Sequence, residues 1–251
     1  MAMLRRMIHR WDNDGPWSLL PGLYRTLRGK VRGQTTPESR PGGWEGFVHP
    51  FDRAMGVDTS GFIPGEALGN GSPSDFYTTA YYGISPSSLV EAIWNVPGDP
   101  HAMTFVDLGC GKGRALLVAA RSGFREVIGV ELSPELCRVA EKNTAGEPRV
   151  RIVEADATEV TYPPGAMLLF LYHPFLAPVL KRVMKNLEKQ TAKSGREVYL
   201  LYANPSYRKV MGKLHFLQEV WDYSLPLSVE DAAADRHGLT HEHFTLYKLV
   251  G

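Results

Sequence analysis

The chain has 251 residues, enough for one large α/β domain with a substantial core. Hydrophobic residues at 43%, charged residues at 22% and a net charge of +1 describe an ordinary globular protein and argue against a polyelectrolyte as its dominant partner. Two cysteines, Cys110 and Cys137, are too few for a disulfide framework or a metal cluster, and no run has the apolar length of a signal peptide or membrane span, so the expectation is a soluble, cytoplasmic, metal-free protein.

Residues 1–74 differ in composition from the remainder, with 12 Gly and 7 Pro, and the first 40 carry eight Lys/Arg against three Asp/Glu. Leu20, Leu23, Tyr24, Leu27 and Val31 fall at helical spacing with Arg25, Arg28, Lys30 and Arg32 between them. Such a basic amphipathic segment can bind an anionic membrane or a partner, or lay its apolar stripe on its own domain, and Trp11, Trp17 and Trp44 favour the last reading. Residues 1–74 are therefore expected to be an appendage or lid, and residues 75–251 the main domain. Ser85-Pro86 opens a helix with Leu89, Val90, Ile93 and Trp94 as its core stripe, just after the aromatic residues Tyr77, Tyr81 and Tyr82.

The run TFVDLGCGKGRALLVAA, Thr104 to Ala120, reads as a buried strand, a glycine turn and a helix start. Further strands are expected at 126–131, 149–153, 166–172 and 197–203, with helices after Ser133-Pro134 and from Leu176 to Leu187. Two last strand-like runs, 214–223 and 243–250, have no convincing helix between them and read as an antiparallel pair on one edge. Alternating strands and helices imply a parallel sheet covered on both faces. In such a sheet the ligand lies at the carboxyl ends of the strands, which here are Asp107 to Gly113, Glu131, Asp156, the 172–175 stretch and Asn204. The glycine spacing is G-x-G-x-G, which disfavours the usual nicotinamide-dinucleotide fingerprint.

DLGCGKGR, then GVELS, EADA and LYHPF, in that order and spacing, resemble the class I S-adenosylmethionine-dependent methyltransferases, especially bacterial members with F-x-DLG-x-GKGR followed by GVE. The resemblance covers residues 75–251 and implies a Rossmann-like, mostly parallel seven-stranded sheet with helices on both faces and an antiparallel C-terminal strand pair. It also implies S-adenosylmethionine as cofactor, S-adenosylhomocysteine as product, and no metal. By position, Asp107, Gly109 and Gly111 would line the methionine part, with Tyr82, Cys110, Gly113 and Arg114 beside them. Glu131 and Leu132 would meet the ribose, and Asp156 with Ala157 the adenine. Lys112 and Arg114 have two open readings: polar positions at a helix start, or groups near the cofactor carboxylate or the substrate.

In amino-group methyltransferases the fourth strand often ends in Asn or Asp, then Pro-Pro and an aromatic; here Tyr172-His173-Pro174-Phe175 places His where Asn would stand. His173 and Tyr172 are the catalytic candidates, His173 as a base and Tyr172 also as a cofactor contact, while Tyr77, Tyr81, Phe175 and Asn204 are candidates for contact with the acceptor. The expected activity is methyl transfer to an O or N nucleophile of a small molecule or of a protein or peptide side chain, with nucleic acid disfavoured. The alternative is a non-catalytic cofactor-binding or interaction module on the same fold.

Overall fold

The computed structural model describes residues 48–68, 75–192, 194–235 and 237–250. The expected amphipathic segment at 20–32 and Trp11, Trp17 and Trp44 lie outside the described residues. In chain order the elements are α1 (Pro50–Met55), β1 (Phe62–Ile63), β2 (Tyr81–Tyr82), α2 (Pro86–Trp94), β3 (Thr104–Leu108), α3 (Arg114–Arg121), β4 (Glu126–Glu131), α4 (Pro134–Thr144) and β5 (Val150–Glu154). There follow β6 (Met167–Tyr172), α5 (Ala177–Thr191), β7 (Val198–Ala203), α6 (Arg208–Met211), β8 (Leu217–Pro226), α7 (Val229–Ala234) and β9 (His241–Leu249).

Seven strands form one sheet in the order β5-β4-β3-β6-β7-β9-β8. The first five are parallel, and β9 inserts antiparallel between β7 and β8. Strands β3, β6 and β7 are almost wholly buried, which explains their unbroken apolar wording: both faces of each are covered. One face packs on α5 and the 207–216 stretch, the other on α2 and α3. Strand order reverses between β3 and β6, so a crevice opens at their carboxyl ends.

Helix starts follow local chemistry. The Ser133 hydroxyl accepts from Leu136 N at 3.4 Å with Pro134 at the first helical position, whereas Ser85 stands at the cap of α2 without a side-chain bond. The last two strands differ from expectation, since α7 lies between them. Ser228 accepts from Asp231 N at 3.1 Å, and Glu230 and Asp231 suit the positive end of the helix. This helix is six residues long and carries no apolar stripe, so periodicity does not reveal it.

Candidate active site

The crevice holds a cleft open to solvent. It reaches from Asp107, Gly109 and Gly111 past Glu131 and Asp156 to Tyr172, Pro174 and Phe175. The turn after β3 is built on left-handed glycines: φ is +84° at Gly109, +56° at Gly111 and +88° at Gly113. A Cβ on Gly109 would lie 2.5 Å from Pro174 Cβ, and one on Gly111 would strike the ring of Tyr81. The glycine turn is thereby pressed between the end of β6 and strand β2.

Glu131 ends β4 with a carboxylate held by backbone donors. Gly111 N donates to Oε2, and Leu132 N and Ser133 N donate to Oε1, each at 2.9 Å. Burial raises its pKa, and those three donors act in the opposite direction. Three of about four acceptor positions are filled, leaving a carboxylate fixed in place and able to take a further hydroxyl from the cleft. Asp107 is different: it is 3% exposed, and no described residue donates a hydrogen bond to it. Burial, and then the neighbouring Glu131, push its pKa well up. A buried acceptor with no donor, lining a cleft, is complementary to a ligand ammonium or N–H group. Asp156 accepts from Thr158 N and Thr158 Oγ1, both at 2.8 Å, and lines the far end of the cleft. The thiol of Cys110 is buried and its pKa raised by burial and by the adjacent carboxylates, so it is a packed neutral group beneath the turn.

The turn's two cations both reach backward along the chain. Arg114 is 6% exposed; its Nε donates to Thr59 Oγ1 at 2.7 Å, Nη2 to Thr59 O at 3.0 Å and Nη1 to Ile84 O at 3.3 Å, with Asp52 Oδ1 3.7 Å away. Lys112 Nζ meets Asp58 Oδ1 at 3.0 Å and Ser60 O at 2.8 Å. The Tyr81 hydroxyl donates to Thr59 O at 2.6 Å. Residues 52–60 are thus tied to the glycine turn, and β1 pairs with β2 across the expected boundary at residue 74. Arg114 lines the cleft, but its guanidinium is spent on this strap.

Tyr82, Tyr172 and Phe175 also line the cleft, as do Leu132 and Ala157. The Tyr82 hydroxyl donates to Asp235 Oδ2 at 2.9 Å. The Tyr172 hydroxyl lies close to Glu242, a buried carboxylate that accepts from Ser88 Oγ at 2.8 Å. Burial is the main cause of the upward pKa shifts of both Tyr172 and Glu242. Glu242 and Asp235 were not singled out from the sequence. The available signal for Glu242 was the alternation of β9, in which Glu242 and Phe244 are buried and His241 and His243 are exposed.

Four candidates are not among the residues lining this cleft: Tyr77, Gly113, His173 and Asn204. His173 has φ +43°, and its ring lies 5.4 Å from that of Tyr207 with Nδ1 3.2 Å from the Tyr202 hydroxyl. Its carbonyl accepts from Thr79 Oγ1 at 2.7 Å, which makes it the hinge of the turn after β6. Asn204 has φ +47° and plays the equivalent backbone part after β7, its N donating to His243 O at 2.8 Å. Thr78 and Thr79, not expected, line the cleft where Thr78 bridges to Phe175.

Residues 105–195 match the family described as a methyltransferase domain. A curated relative, ribosomal RNA small subunit methyltransferase A of Synechococcus sp., is 31% identical over 99 residues, which is 39% of this chain and 35% of that protein. The match therefore spans about a third of the relative's own length. Among solved structures, an S-adenosylmethionine-dependent methyltransferase from Aquifex aeolicus overlaps 67% of this chain and all of its own (100%), with 13% identity and a TM-score of 0.46. A geranyl diphosphate C-methyltransferase from Streptomyces coelicolor overlaps 65% of this chain and 80% of its own, with 15% identity and a TM-score of 0.46. The relative named for ribosomal RNA overturns the expectation that nucleic acid is disfavoured as a partner. Among the described residues no helix is long and apolar enough to cross a membrane. The glycine turn and the carboxylates of Asp107 and Glu131 lie inside the matched segment, so residues 105–195 carry a methyltransferase domain.

Proposed function

We propose that this protein methylates RNA at a nitrogen nucleophile, using S-adenosylmethionine as donor. The observation that carries the reading is the continuity of one cleft from the buried, donorless Asp107 to the β6 end at Tyr172, Pro174 and Phe175. Asp107 would receive the amino-acid end of the cofactor, Glu131 a ribose hydroxyl and Asp156 the adenine end. When bound, the cofactor supplies an electrophilic methyl on a sulfonium. The choice of RNA rests on the likeness to a protein named for ribosomal RNA methylation.

The residues of this chain then have separable tasks. The strap at 52–60 and the ring of Tyr81 hold the glycine turn, so that the cofactor site is formed before the acceptor arrives. The Tyr172 hydroxyl would point its proton at the neighbouring Glu242 carboxylate, leaving its oxygen lone pairs to accept an N–H from the acceptor. As the acceptor nitrogen gains the methyl it becomes acidic; its proton passes to the Tyr172 oxygen while the phenolic proton moves to Glu242. Phe175 and Pro174 form an apolar wall that keeps water from competing there.

Tritiated S-adenosylmethionine incubated with deproteinised small-subunit ribosomal RNA tests the reading. Label should enter RNA and, after nuclease digestion, co-migrate with an N-methylated nucleoside. Label confined to protein in a cell lysate, with none in RNA, would overturn the substrate assignment.

A further inference from the structure

The net charge of +1 hides a strong asymmetry. Residues 176–215 contain nine Lys/Arg against two Asp/Glu, so the remainder of the chain is net acidic. Five of these cations, Lys181, Arg182, Lys185, Lys189 and Lys213, lie on the side of the sheet that α5 covers. α5 buries Val179, Leu180, Val183, Met184 and Leu187, which turns Lys181, Arg182, Lys185 and Lys189 outward. None of these four forms an ion pair with a described residue. The loop after α6 lies against α5, since His215 Nε2 is 3.2 Å from Glu188 Oε1 and Leu214 packs on the same core, and it adds the exposed Lys213. Other helices carry no such excess: on α4 the exposed Arg138 and Lys142 are interleaved with Glu135 and Glu141.

The position of this face relative to the cleft gives it meaning. Phe175 lines the cleft immediately before α5, and Val179, in the first turn of α5, lines it too. The cations begin two residues after Val179, at Lys181. The first turn of α5 holds no cation and only Lys189 lies in its last turn, so the helix dipole accounts for one of the four. Unpaired cations spaced along one helix from the mouth of a cleft are complementary to a polyanion whose reacting group enters that cleft.

We propose that the outer face of α5, extended by Lys213 and His215, is the surface on which the RNA backbone lies while the target base enters the cleft. The proposal rests on the reading of the protein as an RNA methyltransferase and assigns the docking surface for it. Phosphates along α5 would fix register without reading sequence, and selection among bases would fall to the cleft.

The test is fluorescence anisotropy with fluorescein-labelled small-subunit ribosomal RNA, titrated with the full chain at several salt concentrations. Two triple variants of equal charge change are compared: Lys181→Glu/Arg182→Glu/Lys185→Glu on α5, and Arg121→Glu/Arg138→Glu/Lys142→Glu on α3 and α4. Each is first shown to bind S-adenosylhomocysteine with native affinity. The α5 variant should bind RNA at least about tenfold more weakly and lower the slope of log K against log salt by about 2–3, while the α3/α4 variant stays within about twofold of the native chain. Equal losses in both variants would overturn the proposal, because the attraction would then be a general field. So would absence of RNA binding by the native chain, or binding to phosphatidylserine vesicles in its place. Binding through α5 without methyl entering the RNA would leave the surface standing and refute the proposed function alone.

Discussion

Arg114 gives the most direct test of how the cofactor turn is held. Its guanidinium makes three hydrogen bonds, to Thr59 Oγ1 (2.7 Å), Thr59 O (3.0 Å) and Ile84 O (3.3 Å), and stands 3.7 Å from the buried Asp52 carboxylate. Arg114→Met keeps much of the apolar stem but removes every donor. Asp52, 1% exposed, would keep its bonds from Thr59 and Ser60 and lose its only close cation among the described residues. Breaking a buried pair from one side costs about 3–5 kcal/mol. In a chain of this size each kcal/mol moves the midpoint by about 2–4 °C, so melting should fall by roughly 10 °C. The same change loosens Thr59, which receives the Tyr81 hydroxyl at 2.6 Å and so fixes the ring over Gly111. S-adenosylhomocysteine should therefore bind about tenfold more weakly, equivalent to about 1.4 kcal/mol. Scanning calorimetry and isothermal titration read the two effects. Gly83→Ala supplies an independent check, because its Cβ would lie 2.7 Å from the Arg114 Cζ. A midpoint shift below about 3 °C together with unchanged affinity would refute the strap.

Asp107 is a buried acid with a raised pKa, so the folded state binds its proton more tightly than the unfolded chain does and the resulting stability is lost as pH rises. Asp107→Asn should raise the melting point of the cofactor-free protein at pH 8, removing a penalty of about 1–3 kcal/mol. The gain should vanish below the ordinary carboxylate range, and cofactor affinity should fall; equal melting points at pH 8 would show that Asp107 carries no such penalty. Tyr172→Phe should slow transfer by about 10²-fold or more with unchanged S-adenosylhomocysteine affinity. Glu242, faced by Tyr172, Ser88 and Asp235, must be ionised to receive a proton, so the rate should fall as pH drops through its raised pKa. Glu242→Gln should abolish that limb, and persistence of the limb in the variant would remove Glu242 from the relay. His173 stands at φ +43°, where Asn is well tolerated and a β-branched residue is not. His173→Asn should keep stability and transfer, whereas His173→Val should cost about 1–2 kcal/mol in denaturant unfolding. A loss of about 10²-fold in transfer rate for His173→Asn at native stability would return the imidazole to the chemistry.

What the sequence makes legible is what lies close along the chain. β3, its glycine turn and α3 follow one another without interruption, and their wording shows the strand, the positive φ angles and the helix start together. Glu131 and Asp156 were read onto one edge because Glu131 ends β4 and Asp156 follows β5 by two residues, and in a parallel sheet strand ends converge. Partners brought in from afar leave no such trace. Arg114 belongs to the GKGR wording that suggests a cofactor contact, yet it is bonded to Thr59, far upstream of the turn. The Tyr172 partner is Glu242, delivered by a strand that inserts antiparallel after an unforeseen helix.

His173 illustrates a different limit. Its place at the end of β6 was readable, but the direction of its ring is set by a left-handed backbone angle that residue type alone does not declare. His173 is not among the residues lining the cleft, and its imidazole meets Tyr202 and Tyr207. The neighbouring Tyr172, one residue earlier in the pleat, is carried to the cleft by the regular alternation of the strand. The charge on α5 was hidden for a third reason, since a net value of +1 averages over faces that the fold later separates. Local wording thus fixes the glycine turn and the strand ends that line the cleft. Glu242 from β9 and the cationic face of α5 come from distant stretches, and only the folded arrangement shows where they lie.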